Sequence, residues 1–314
     1  MFILFRKRNF SDYLSDTIGF FKKFGKDYFK SYLTINGGFI LILIVLLYFV
    51  IKIYRDVIVS QIGNPNPDPT YISTYFSNNF FWVLPLFVLF VILGMFLSLL
   101  NVTFPVLYLQ NYEKTGASHF PIPSIIEALK NNIYKMIRFM IGLLFIIMPL
   151  LIVTFVIVIL LCFLLIGIPL LFIVIPASIS WITLSYCQYI IKEVSFFTAL
   201  RNGFSMLRQQ FWSIVGTTLV SLFIIQTIQG IITLIPYIFS IAMVFTSGSN
   251  SSQVEKFESL GIVVSGLMIV SVLLSYFLNN FFIINQGLIF YSLREENENN
   301  SSNNLIDLIG TESE

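Results

Sequence analysis

Ser124-Ile-Ile-Glu-Ala-Leu-Lys-Asn131 and Ser195-Phe-Phe-Thr-Ala-Leu-Arg-Asn202 are two versions of one phrase. Each carries a few basic residues and then gives way to a long apolar stretch. A looser relative, Ser11-Asp-Tyr-Leu-Ser-Asp-Thr-Ile-Gly-Phe-Phe-Lys22, stands before the first apolar stretch. The repeated unit reads as a short amphipathic helix followed by two membrane spans. Three such units, at about 11–111, 124–191 and 195–291, give an all-α polytopic membrane helical bundle of six transmembrane helices. Residues 1–293 then form one membrane domain, and 294–314 a disordered polar cytoplasmic tail.

Composition supports this reading. Of the 314 residues 57% are hydrophobic and 11% charged, and the mean hydropathy is +0.87. An ordinary soluble domain is far less apolar. A span needs about 20 apolar residues to cross roughly 30 Å of hydrocarbon. Stretches near 37–59, 80–111, 137–164, 168–191, 211–245 and 260–291 meet that requirement. Fifteen of the 16 carboxylates fall outside these segments, and Asp56 stands with Lys52 and Arg55 near the outer end of the first.

The links between spans are informative. Asn64-Pro-Asn-Pro-Asp-Pro69 must be extended or turned. Gly167-Ile168-Pro169 leaves almost no polar loop and reads as a tight hairpin. Ser124 with Glu127 reads as a capping box at the start of the second surface helix. In the first surface helix, 11–33, Leu14, Ile18, Phe21, Tyr28 and Tyr32 mark the apolar side, and Lys22, Lys23, Lys26 and Lys30 the polar side. A basic amphipathic helix beside a span is expected in the headgroup region, near anionic lipid headgroups.

Charge orients the chain. All but three of the 18 Lys and Arg lie before span one, in the links after spans two and four, or in the tail. Lys52, Arg55 and Lys256 are the exceptions. The positive-inside rule therefore places both termini in the cytoplasm. The apolar run before Arg6-Lys7-Arg8 is too short for a secretory signal.

Polar residues within the spans are the candidate functional groups. They are Asn101, Gln188, Gln226, Gln229, Asn279 and Gln286. Ser271, Ser275, Asn279 and Gln286 share one face of span six, and Ser178, Trp181, Ser185 and Gln188 share one of span four. Such groups ordinarily bond between helices at about 0.6 kcal/mol each. The sharper alternative is a polar path or a lipid headgroup cleft. No ionisable group lies in an expected span interior, which argues against proton pumping and voltage sensing. Catalytic, cofactor and metal assignments are none. His119 stands alone in its loop, and Cys162 and Cys187 lack metal spacing and read as small packed hydrophobes. Asn101-Val-Thr103 and Asn250-Ser-Ser252 match glycosylation sequons only as three-residue patterns.

Ala128-Leu129-Lys130-Asn131, Ala199-Leu200-Arg201-Asn202 and Phe211-Trp212, with proline-bearing spans behind them, resemble uncharacterised bacterial six-span inner-membrane proteins. These are the YciC-like proteins and the membrane domain ahead of some glycerophosphodiester phosphodiesterases. The resemblance implies an integral membrane role; the catalytic barrel of the phosphodiesterases is absent, so no catalytic residue carries over. The expected function is a non-enzymatic component or scaffold of a membrane assembly in the bacterial inner membrane. The alternative is a facilitator or lipid-handling transporter using the polar faces of the second spans. The expected partners are the bilayer, anionic lipid headgroups and other membrane proteins, with no nucleic acid.

Overall fold

A computed structural model describes residues 2–62, 70–116, 122–246 and 253–298. The Asn64–Pro69 turn, the His119 loop, the Asn250 sequon and the tail beyond 298 lie outside the described residues. The described residues are all-helical: α1 (Phe10–Ile62), α2 (Tyr71–Asn78), α3 (Phe80–Thr115), α4 (Ile122–Gly142), α5 (Met148–Cys162), α6 (Gly167–Ile191), α7 (Phe196–Gln209), α8 (Phe211–Thr246) and α9 (Gln253–Glu298). A π-helical turn, Leu143–Ile147, joins α4 to α5. Six segments are long and apolar enough to cross a membrane: Phe10–Ile53, Phe80–Thr115, Ile122–Cys162, Gly167–Ile191, Phe211–Ile235 and Gly261–Glu298.

Continuity departs from expectation at two surface helices. The first does not lie apart from its span, because α1 runs unbroken from Phe10 to Ile62 through Gly37 and Gly38. A glycine costs a helix roughly 1 kcal/mol. Opening backbone hydrogen bonds at the edge of the hydrocarbon costs several, so the helix continues. The second surface helix likewise runs on through the π turn into α5. Here α4 starts at Ile122, two residues before Ser124, with Pro123 in its first turn. Proline is pre-organised for that position and lacks the N–H a cap would satisfy, so Ser124 is not the cap. The third surface helix does stand apart. Ser195 caps α7 by accepting from the Thr198 N–H at 3.4 Å, and Gln210 breaks the chain before α8 with φ −129 and ψ 48.

The α5–α6 hairpin is as tight as its sequence implies. Leu165 takes a left-handed φ of 63. A Cβ at Gly167 would lie 2.3 Å from the Cys162 nitrogen and 2.4 Å from the Val158 oxygen. Both cysteines are free thiols.

The chain divides into two compact units: unit 1 is Met1–Ile35, Asn101–Ile224 and Asn279–Glu314; unit 2 is Asn36–Leu100 and Ile225–Leu278. The core of unit 1 is aromatic. Tyr13, Phe20, Tyr28, Tyr32, Phe104, Tyr108 and Tyr291 are almost wholly buried. Rings meet edge to face, with Tyr28 and Tyr108 centroids 4.9 Å apart and Tyr28 and Phe104 5.2 Å apart. The buried stripe of the N-terminal helix is thus Tyr13, Thr17, Phe20, Phe24, Tyr28 and Tyr32. Ile18, expected on it, is 45% exposed. Lys22, Lys23, Lys26 and Lys30 are all exposed, as the amphipathic pattern requires.

Candidate functional site

Four long polar side chains, none charged, meet inside unit 1. The Tyr28 hydroxyl donates to Asn280 Oδ1 at 2.6 Å. Asn280 Nδ2 donates to Asn101 Oδ1 at 3.1 Å, and the Tyr32 hydroxyl donates to the same oxygen at 2.8 Å. Helices α1, α3 and α9 are joined by this cluster. Asn101 is 4% exposed and Asn280 fully buried. Every bond here replaces a contact with water that hydrocarbon cannot supply.

A second cluster joins α6, α8 and α9. Ser180 and Thr218 hydroxyls lie 2.7 Å apart, and Gln286 Nε2 donates to Thr218 Oγ1 at 2.8 Å. Gln286 Oε1 has no partner among the described residues. Thr103 and Tyr186 hydroxyls are bonded directly across α3 and α6. Asn285 Nδ2 reaches back to the Tyr13 carbonyl at 3.1 Å and Thr17 Oγ1 at 3.0 Å.

The polar stripe of span four is the seat of α7. Trp181 Nε1 donates to the Leu200 carbonyl at 3.0 Å, and Gln188 Nε2 to Met206 Sδ at 3.1 Å. A Cβ on Gly203 would lie 2.2 Å from Ser185 Oγ and 2.7 Å from the Ser185 nitrogen. Only glycine permits this approach.

Asn101, Gln188 and Gln286 therefore enter helix-to-helix contacts. Asn279 is half-buried, and its neighbour Asn280 holds the network position. Gln226 and Gln229 belong to unit 2, where Gln226 is exposed and Gln229 half-buried. Asn280, Asn285 and Tyr13 were not singled out by spacing, and Tyr28 and Tyr32 were read only as part of an apolar face. The doublets Asn279-Asn280 and Asn285-Gln286 were their visible signal. Asn36, in α1, is 1% exposed, and neither amide atom is bonded among the described residues.

Charges gather at the chain's two ends. Arg8 is buried, donating to Asp16 Oδ2 at 2.8 Å and to the Leu4 and Ile3 carbonyls at 2.8 and 2.7 Å. Burial pulls its pKa below the ordinary arginine value, and the bond to Asp16 works in the opposite sense. Glu113 accepts from the Tyr291 hydroxyl at 2.7 Å and from Arg294 at 3.0 Å. The Arg294 guanidinium lies over the Phe5 ring, 5.1 Å from its centroid, the geometry of a cation–π contact. Lys192 pairs with Glu298 at 2.8 Å. Lys135 pairs at 2.9 Å with Glu193, whose φ of 55 turns the chain between α6 and α7.

Unit 2 contains an apolar cavity of about 700 Å3 between α1, α2 and α3, walled by Val50, Ile53, Val57, Phe76, Phe80 and Phe87 among others. Among the described residues, no group of three or more His, Cys, Asp or Glu is placed to hold a metal. No protein family, curated protein or solved structure matches the chain. The chain is a multi-pass helical protein of the membrane, in contact with lipid along its apolar helices.

Proposed function

We propose that the protein is a non-enzymatic structural component, or scaffold, of a membrane assembly. Its setting in this proposal is a bacterial inner (cytoplasmic) membrane with both termini in the cytoplasm. The carrying observation is that Asn101, Asn280 and Gln286 bond to other helices, so the polar groups of unit 1 serve cohesion. A carrier that handled solute through those faces would hold them open to it. The one-sided distribution of Lys and Arg supports the orientation. Exposed lysines along α1 and arginines on α7 meet anionic headgroups on the cytoplasmic leaflet.

The test is chemical cross-linking in intact membranes, followed by gentle solubilisation and quantification of co-purifying subunits. The proposal expects one membrane protein recovered in near-equal amount through repeated purification. Recovery of the chain alone, as a discrete species, would overturn it.

The cavity in unit 2 favours a second reading, a lipid-handling facilitator. Its walls are apolar, and its size falls in the roughly 300–1,000 Å3 range of ligand sites. Liposomes carrying fluorescent phospholipid decide this. Protein-dependent lipid movement, lost when Val83→Trp narrows the cavity, would support lipid handling, and rates equal to empty liposomes would dismiss it.

A further inference from the structure

Among the surface helices, α7 alone is set apart from its span and locked against rolling. Trp181, Ser185 and Gln188 fix its inner face, on which Ala199, Gly203, Met206 and Leu207 are buried. The outward side is graded in polarity. Passing around the helix from the buried face come Leu200, Phe204 and Phe197, then Arg208 and Arg201, then Ser205, Thr198, Gln209 and Asn202. The two arginines stand on the border between the aromatic and polar sectors. A helix lying in the membrane surface puts its aromatic sector among acyl carbons and its polar sector in water. The border falls at the depth of the lipid phosphates.

Three further observations converge on this strip. Phe197 is 68% exposed, Phe204 50% and, just past the break, Trp212 71%; large aromatics so placed are the usual anchors at the interface. Arg201 and Arg208, like Arg138, have no carboxylate partner among the described residues, whereas Arg6, Arg8 and Arg294 do. The arginines also wall a groove of about 480 Å3 with Phe204, Ser205 and Gln209. A guanidinium presents a planar fork of donors that matches two oxygens of a phosphate.

The geometry points to a phospholipid site on α7: Arg201 and Arg208 grip the phosphate of an anionic glycerophospholipid, with the Ser205 hydroxyl between them as a further donor. Phe197, Phe204 and Trp212 lie along its acyl chains. This rests on the reading that basic surface helices meet anionic headgroups, and it assigns that meeting to one helix and two residues. The ionic grip holds the α6–α7 corner at fixed depth.

The full chain in phosphatidylcholine nanodiscs, titrated with phosphatidylglycerol and read by native mass spectrometry, tests it. Each basic side chain near an anionic surface is worth roughly fivefold in affinity. The Arg201→Gln/Arg208→Gln double variant is therefore expected to weaken phosphatidylglycerol binding about 30-fold. Phosphatidylcholine retention and thermal melting should stay unchanged, and Arg201→Lys/Arg208→Lys should recover only part of the loss, because an ammonium keeps the charge and lacks the fork. Should the double variant unfold, each single Gln variant, expected to lose about fivefold, is read instead. Unchanged phosphatidylglycerol binding would overturn the site, and so would an equal loss for phosphatidylcholine. Displacement of the lipid by millimolar inorganic phosphate would reassign the groove to free phosphate and overturn it as well. Recovery of a stoichiometric protein partner is scored separately, with wild-type chain, so the scaffold reading stands or falls independently.

Discussion

Replacing Asn280 with leucine should cost the protein more than any single bond it makes. Asn280 is fully buried; it accepts from Tyr28 at 2.6 Å and donates to Asn101 at 3.1 Å. Leucine fills similar volume, so little cavity term arises. The Tyr28 hydroxyl, however, loses its acceptor inside an apolar site. A buried polar group left unsatisfied costs about 1–3 kcal/mol, and membrane hydrogen bonds measured by double-mutant cycles average about 0.6 kcal/mol, at most about 1.7. The expected loss for Asn280→Leu is about 1–3 kcal/mol. Tyr28→Phe removes only the hydroxyl and should cost about 0.5–1.5 kcal/mol. In the double variant the orphaned hydroxyl is gone, so the two losses should fall short of additivity by about 0.6–1.7 kcal/mol. Unfolding in mixed detergent micelles, followed by tryptophan fluorescence and circular dichroism, measures all four corners of the cycle. Strict additivity would refute the reasoning, because residues in one network must couple. So would wild-type stability in Asn280→Leu.

Other substitutions probe other parts of the structure. Gly203→Val forces side-chain atoms into Ser185; hydrogen exchange over 196–209 should accelerate at least tenfold as α7 lifts from α6, while the α1 core stays protected. Asn36→Leu removes a buried amide with no partner among the described residues, and should raise unfolding stability by about 1–3 kcal/mol. Glu113→Gln leaves Arg294, whose side chain is 9% exposed, with Glu298 at 3.3 Å as its remaining carboxylate; a loss of about 1–2 kcal/mol is expected in the same micelle assay. Cysteines introduced at Ser205 and Thr74 in a background lacking Cys162 and Cys187 should label from opposite sides of sealed vesicles. Labelling from the same side would overturn the orientation.

Hydropathy made the six spans legible, because about 20 consecutive apolar residues have few other uses. The tight α5–α6 turn was legible for a similar reason: Gly167-Ile168-Pro169 offers no material for a loop. The inward face of the N-terminal helix was harder. Leu14, Ile18 and Phe21 are apolar, and so are Tyr13, Phe20 and Phe24 on the neighbouring stripe. What favours the second set is the company of tyrosine hydroxyls with Asn101, Asn280, Ser292 and Gln210, which come from distant parts of the chain. Local periodicity holds no record of such partners. The same blindness let Asn279 stand in for Asn280, since one residue of helical rotation separates a half-exposed amide from a buried one. The fusion of the first two surface helices with their spans was hidden because glycine and a π turn can be carried inside a helix. The break at Gln210 falls where the sequence passes from the third surface helix to the span expected from 211.

Unit 1 is assembled from the two extremities of the chain, and this has a consequence for biosynthesis. The Arg8 amide bonds Ser292 Oγ at 2.9 Å across 284 residues. Asn285 closes on Tyr13 across 272. At about 5–20 residues per second, a ribosome needs roughly 15–60 s between making the first partner and the second. For that interval the Arg8 amide and the Tyr13 carbonyl have emerged without their α9 partners. The nascent protein must wait at the insertion machinery with its first helix unfinished, and a chain stalled before α9 would be a substrate for membrane proteases.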